Sequence, residues 1–113
     1  MNISEEQLGN QLFKINLSGR MDIEGVGGIE TRFSGMTASP RMAIIVDMSA
    51  VPFMSSIGIR ALLLNAKAVE QRGGKFALLN PDQNVRSVLA SSGIDQLIPI
   101  CEGLDEAIAK VAQ

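Results

Sequence analysis

The run Met42-Ala-Ile-Ile-Val46 constrains this chain more than any other stretch. It is short, wholly apolar and rich in β-branched residues. Such a run reads as a strand buried on both faces. A strand of that kind needs cover above and below it. After a loop containing Pro52, the residues Ile59, Leu62, Leu63, Ala66 and Val69 recur at helical spacing. The helix they predict runs from about Ser56 to Gln71. It stops at Arg72-Gly73-Gly74, where a cationic last turn and a following glycine are common stop signals. Lys75 to Leu79 is the next apolar run and the next strand. Strand, helix and strand in that order form a right-handed crossover, so the two strands should be parallel.

The remaining elements fall around this unit. Ile3 to Gln7 predicts a strand, and Leu8-Gly9-Asn10 its turn. Leu12 to Leu17 should pair back antiparallel as a hairpin. Ser18 to Asp22 reads as a loop, with Asp22 a favoured N-cap for the helix that follows. That helix, Ile23 to Met36, carries Val26, Ile29 and Phe33 on one face. It also carries Gly25, Gly27, Gly28 and Gly35, each costing about 1 kcal/mol against alanine in a helix interior. It is therefore expected to be short or frayed. Thr37 to Pro40 is a loop. Asn80-Pro81-Asp82 opens a third helix, with Val85, Val88 and Leu89 inward and an end near Ser92-Gly93. Ile94 to Ile100 should hold a short edge strand, because Pro99 is tolerated only at an edge or strand end. A last amphipathic helix, from about Gly103 to Ala112, places Leu104, Ile108 and Val111 inward.

Composition narrows the function classes. A chain of 113 residues is expected to form one domain, residues 1–113, and can bury a core without disulfide or metal. The net charge of −2 leaves no electrostatic footprint for direct nucleic-acid binding. No apolar run approaches the ~20 residues a membrane span needs. The first residues, Met1-Asn-Ile-Ser-Glu-Glu-Gln7, are acidic and polar, unlike a signal peptide. Cys101 is the only cysteine, which fits a reducing cytosol, and it reads as a small core residue. A cytoplasmic location is the expectation.

The absence of histidine matters more. It removes the commonest general base and zinc ligand and makes a Ser-His-Asp triad impossible. Ser55-Ser56 lacks the Gly-x-Ser-x-Gly frame of a nucleophile elbow. Asp22, Glu30 and Asp47 lie on separate elements at no diagnostic spacing. The glycine-rich segment Glu24 to Ile29 fits neither the phosphate-loop nor the dinucleotide pattern. No catalytic residue, metal site or cofactor is expected, and the chain does not read as an enzyme.

What stands out is the pair Ser55-Ser56 at the start of the central helix. Either serine is a natural N-cap, its hydroxyl accepting from an orphan backbone N–H. A phosphate there would also meet the positive end of the helix dipole. Charge could then change without unfolding the helix. Ile57 and Ile59 add apolar side chains around the serine. One can point into the core while the other borders a partner surface, with Arg60 at its rim.

The stretch Asp47 to Arg60 resembles the STAS family, best known from bacterial anti-sigma-factor antagonists. That family's pattern is an Asp-ending strand, then aromatic–x–Asp–Ser–Ser/Thr–Gly–Leu at a helix start. Asp47, Phe53, Met54, Ser56, Gly58 and Ile59 fill matching places. Ser55 stands where an acidic residue is usual, and Ile57 where Ser, Thr or Ala is usual. Leu17, Gly19, Met21 and Asp22 match the family's Leu–x–Gly–x–Leu–Asp loop, and Ser92-Gly93-Ile94 matches its later Ser–Gly–Leu/Ile step. The resemblance implies an α/β fold, with a mixed, mostly parallel sheet of four to five strands and about four helices, mainly on one face. It implies Ser56 as a phosphorylation site. It also implies a partner surface of Asp22, Ser55, Ser56, Ile57, Gly58, Ile59 and Arg60. The implied function is a partner switch: the unphosphorylated protein binds an anti-sigma factor that is a serine protein kinase, phosphorylation releases it, and a serine phosphatase resets it. The alternative is a STAS scaffold or ligand-sensing regulatory module that works without phosphorylation.

Overall fold

The computed structural model describes residues Met1–Ala112. Two strands, β1 (Asn2–Gly9) and β2 (Leu12–Ser18), open the chain. There follow α1 (Ile23–Met36), β3 (Ala43–Ala50), α2 (Ser56–Glu70), β4 (Lys75–Leu79), α3 (Gln83–Ser91), β5 (Ile100–Cys101) and α4 (Leu104–Val111). One five-stranded sheet has the order β1-β2-β3-β4-β5. β1 and β2 are antiparallel, and every other neighbouring pair is parallel. This is the mixed α/β fold expected from the sequence.

The pleat explains the layers. Along β3, Ile44, Val46 and Met48 face one side while Ala43 and Ile45 face the other. Along β4, Phe76 and Leu78 join the first side, Ala77 and Leu79 the second. The central strands are thus buried on both faces, as the apolar run demanded. The larger core takes Val26, Ile29 and Phe33 from α1, Leu62, Ala66 and Val69 from α2, and Val85 and Leu89 from α3. The smaller core is closed by Ala107 and Val111 of α4. Helices therefore lie mainly on one face, three against one.

Three local expectations need correction. α1 is neither short nor frayed: it runs for 14 residues. Its buried apolar face and the Asp22 cap offset the glycine cost, as tertiary packing routinely does. The strand expected within Ile94 to Ile100 is not continuous. Gly93 adopts φ 82°, Ile94–Gln96 form a 3₁₀ turn, and strand pairing starts only after Pro99, at Ile100. Proline has no N–H to offer a ladder, so β5 begins where pairing becomes possible. Finally, β3 does not end near Asp47 but continues to Ala50.

Candidate functional site

The loop after β2 and the loop after β3 are fastened together. Gly19 N–H donates to the Ala50 carbonyl at 3.0 Å and Met21 N–H to the Phe53 carbonyl at 2.9 Å. Ser55 N–H returns the bond, donating to the Met21 carbonyl at 3.0 Å. Met21 and Met54 form an isolated parallel bridge, and both side chains are buried. The segment around Met21 therefore behaves as a short extra strand that fixes the entry into α2.

Both helix starts converge on this segment. A Cβ on Gly25 would lie 2.0 Å from the Arg20 carbonyl oxygen, so only glycine lets α1 begin there. A Cβ on Gly58 would lie 2.6 Å from Met54 Cγ and 3.0 Å from Met21 Cβ. The glycine two residues after Ser56 is thus what seats the first turn of α2 on the loop.

The two serines have different fates. Ser55 is the N-cap residue of α2, yet its side chain makes no capping bond. Its hydroxyl instead donates to the Met21 carbonyl at 3.0 Å, which corrects the expectation that it would accept from the helix. Its own backbone carbonyl accepts from Gly58 and Ile59 N–H at 3.0 and 3.2 Å. Ser56, the first residue of α2, is exposed. No acidic residue stands in the first turn of α2.

Asp22 caps α1, accepting from Gly25 N–H at 2.8 Å. That bond is the main reason its carboxyl is held below the usual carboxylate range, with further help from Arg20 at 3.4 Å. Arg20 also lies over the Phe53 ring, 4.1 Å from its centroid. This pairing was not visible in the sequence. Arg20 and Phe53 are on different loops, and only the Gly19–Met21 backbone bonds bring them together.

Around Ser56, Ile57 and Ile59 are both partly buried against the larger core, while Arg60 is exposed. Neither isoleucine stands fully out in solvent. The more exposed apolar side chains on these two helices are instead Ile23 and Leu64, 75% and 55% accessible. Ile57, Arg60, Ala61 and Leu64 of α2 face Ile23, Gly27 and Glu30 of α1 across a surface groove of about 410 Å³. The signal for Leu64 lay in Leu62-Leu63-Leu64. Successive helical residues are turned by about 100°, so three leucines in a row cannot share one inward face. Asp47 is not part of this surface. Its neighbours Ala43 and Ile45 mark its side of β3 as the one covered by α4, and its carboxylate binds Ser49 and Lys14.

Among the described residues there is no cluster of acidic, cysteine or histidine side chains fit to hold a metal. Nor is any helix long and apolar enough to cross a membrane.

A mixed five-stranded sheet with three helices on one face and one on the other, and a loop-fastened serine pair at the start of α2, defines an α/β single-sheet class of domain. The sequence places it more narrowly: residues 4–107 match the STAS domain model, and the chain belongs to that family. It is similar to the anti-sigma-F factor antagonist RsfB of Mycobacterium tuberculosis, 22% identical over 102 residues that cover 90% of this chain and 83% of RsfB. It is also similar to the anti-sigma factor antagonist SpoIIAA in its unphosphorylated form, with 27% identity and a TM-score of 0.79 over 95% of this chain and 93% of that one. The phosphorylated form of the Bacillus protein SpoIIAA superposes with a TM-score of 0.72 at 26% identity, over 96% of this chain and 97% of that one.

Proposed function

We propose that this protein is an anti-sigma-factor antagonist that works as a phosphorylation-controlled partner switch, with Ser56 as the switch residue. The observation that carries the reading is the contrast between adjacent serines. The Ser55 hydroxyl is spent on the Met21 carbonyl, whereas Ser56 is exposed on the first turn of α2. Similarity to SpoIIAA, known in both phosphorylated and unphosphorylated forms, supports the same reading. The partner surface comprises Asp22, Ser55, Ser56, Ile57, Gly58, Ile59 and Arg60. Within it Asp22, Ser55 and Gly58 hold the shape, and Ser56 and Arg60 make contacts. The partner is an anti-sigma factor with serine kinase activity, a serine phosphatase resets the system, and the exchange takes place in the cytoplasm of a bacterium.

Phosphorylation adds roughly −1.5 to −2 charges at Ser56. At the N-terminus of α2 that charge is favourable for the free protein. Buried in a packed interface without a cationic mate it costs about 2–5 kcal/mol. Binding then weakens by roughly 30-fold to several thousand-fold. The test is capture from native lysate with Ser56→Ala and Ser56→Asp proteins as baits. A kinase-like ATPase retained by Ser56→Ala and lost by Ser56→Asp is the expected result. Phosphate incorporation by that kinase should persist in Ser55→Ala and vanish in Ser56→Ala. Identical catches on the two baits would overturn the switch.

A further inference from the structure

The groove between α1 and α2 is an open strip lined by both apolar and charged residues, and its chemistry is self-complementary. The two helices run side by side in the same direction. Their first turns meet at the Met21 segment, and Thr37, the C-cap of α1, hydrogen-bonds Asn65 in the third turn of α2. Ile23 and Leu64 lie exposed on opposite banks. Gly27, with no side chain, and Ala61, with only a methyl group, are among the lining residues, so a second helix could come close. A Cβ on Gly27 would meet nothing within 4 Å, so its own fold does not require that glycine. Glu30 flanks the groove on α1 and Arg60 on α2. Neither takes part in any of the ion pairs among the described residues.

We infer that this groove is a self-association surface, occupied by a second copy of the same chain. One acidic and one basic residue on opposite banks of an apolar strip is the pattern an isologous two-fold interface needs, since each contact then occurs twice. A two-fold axis along the helices sets α1 of one protomer against α2 of its partner. Glu30 then approaches the partner's Arg60 while Arg60 approaches the partner's Glu30, and Ile23 and Leu64 close over the small residues between them. The patch is small, which places the dimer in the weak, concentration-dependent class. Ile57 borders the same groove, so the dimer covers the flank of the Ser56 surface. The proposal does not depend on Ser56 being phosphorylated.

Sedimentation velocity of the full chain from about 10 µM to about 1 mM reads the association directly. The wild type should shift from monomer toward dimer across that range, and less so at high salt. Glu30→Arg and Arg60→Glu should each weaken association by about tenfold or more, because each sets like charges face to face twice. The double exchange, Glu30→Arg with Arg60→Glu, should restore it. Circular dichroism melts confirm that each variant is folded. A wild type that stays monomeric throughout would overturn the dimer and leave the groove to a different protein. Single exchanges without effect, or a double exchange that fails to rescue, would overturn the pairing.

Discussion

At Gly58 a single methyl group would have nowhere to go. The nearest atoms to a Cβ there belong to two buried methionines and the Met21 carbonyl, the last at 3.2 Å. Gly28, in the second turn of α1, faces open space. The same substitution should therefore have opposite signs. Gly58→Ala forces Met54 or the loop to shift and should destabilise by about 1–3 kcal/mol. Gly28→Ala removes a helix-interior glycine and should stabilise by up to about 1 kcal/mol. Urea denaturation of the two variants checks both values. A neutral Gly58→Ala would mean that the loop does not hold the start of α2 as tightly as its hydrogen bonds indicate. Sequence pattern singled out Gly58 by position within a motif, but nothing in the sequence told it apart energetically from Gly28. The distinction is that the buried Met54 and Met21 side chains come within 3 Å of a Cβ at Gly58, whereas nothing lies within 4 Å of one at Gly28.

Between α1 and α2 the decisive contact is polar and buried. The Thr37 hydroxyl donates to Asn65 Oδ1, and Asn65 Nδ2 donates to the Ala61 carbonyl at 2.8 Å. Both residues are buried, the only polar side chains so placed among the described residues. Just beyond, the Arg72 guanidinium donates to the carbonyls of Thr37, Arg41 and Ala68, tying the end of α2 to the loop before β3. Thr37→Val keeps the volume but strips Asn65 Oδ1 of its donor. An unsatisfied buried acceptor costs about 1–3 kcal/mol, and the loss should appear in the urea midpoint with an unchanged slope. Helical periodicity located both helices and placed Thr37 just past the end of α1, yet it gave neither Thr37 nor Asn65 a role. A threonine at a helix end and an asparagine in mid-helix look like solvent-facing residues until the two helices are laid together.

Over the whole molecule, four carboxylates, those of Glu5, Glu6, Asp22 and Asp47, are held below the usual range. For Glu5 the hydrogen bond from Arg41 is the leading cause, and for Glu6 the one from Asn16. For Asp47, burial pushes the carboxyl up, but bonds from Ser49 and Lys14 outweigh it and the net shift is downward. A carboxyl lowered in the folded state adds stability above its unfolded pKa and loses it as pH falls through the folded value. Stability should thus hold from neutrality to about pH 4 and then fall toward about pH 2. Asp47→Asn should flatten that acid limb relative to wild type in urea titrations at successive pH values. A variant curve parallel to the wild type would show that Asp47 does not contribute to it.

The hydrophobic pattern by itself determined the fold class, because an apolar β-branched run such as Met42–Val46 has one stable solution, a central strand covered on both faces. It determined the crossover of β3, α2 and β4, and it put Ser55 and Ser56 at a helix start. Those are consequences of periodicity and chain direction, which are local. Only the tertiary structure decided which serine is bound and which is free, that Phe53 lies beneath Arg20, and that Ile23 and Leu64 share an open groove. Each of these depends on two segments distant in sequence meeting at a fixed distance, and no spacing within one segment encodes that meeting. The 3₁₀ turn at Ile94–Gln96 belongs with them. Its one apolar residue, Ile94, is buried in the larger core, and a single inward residue carries no period from which to tell a turn from a strand.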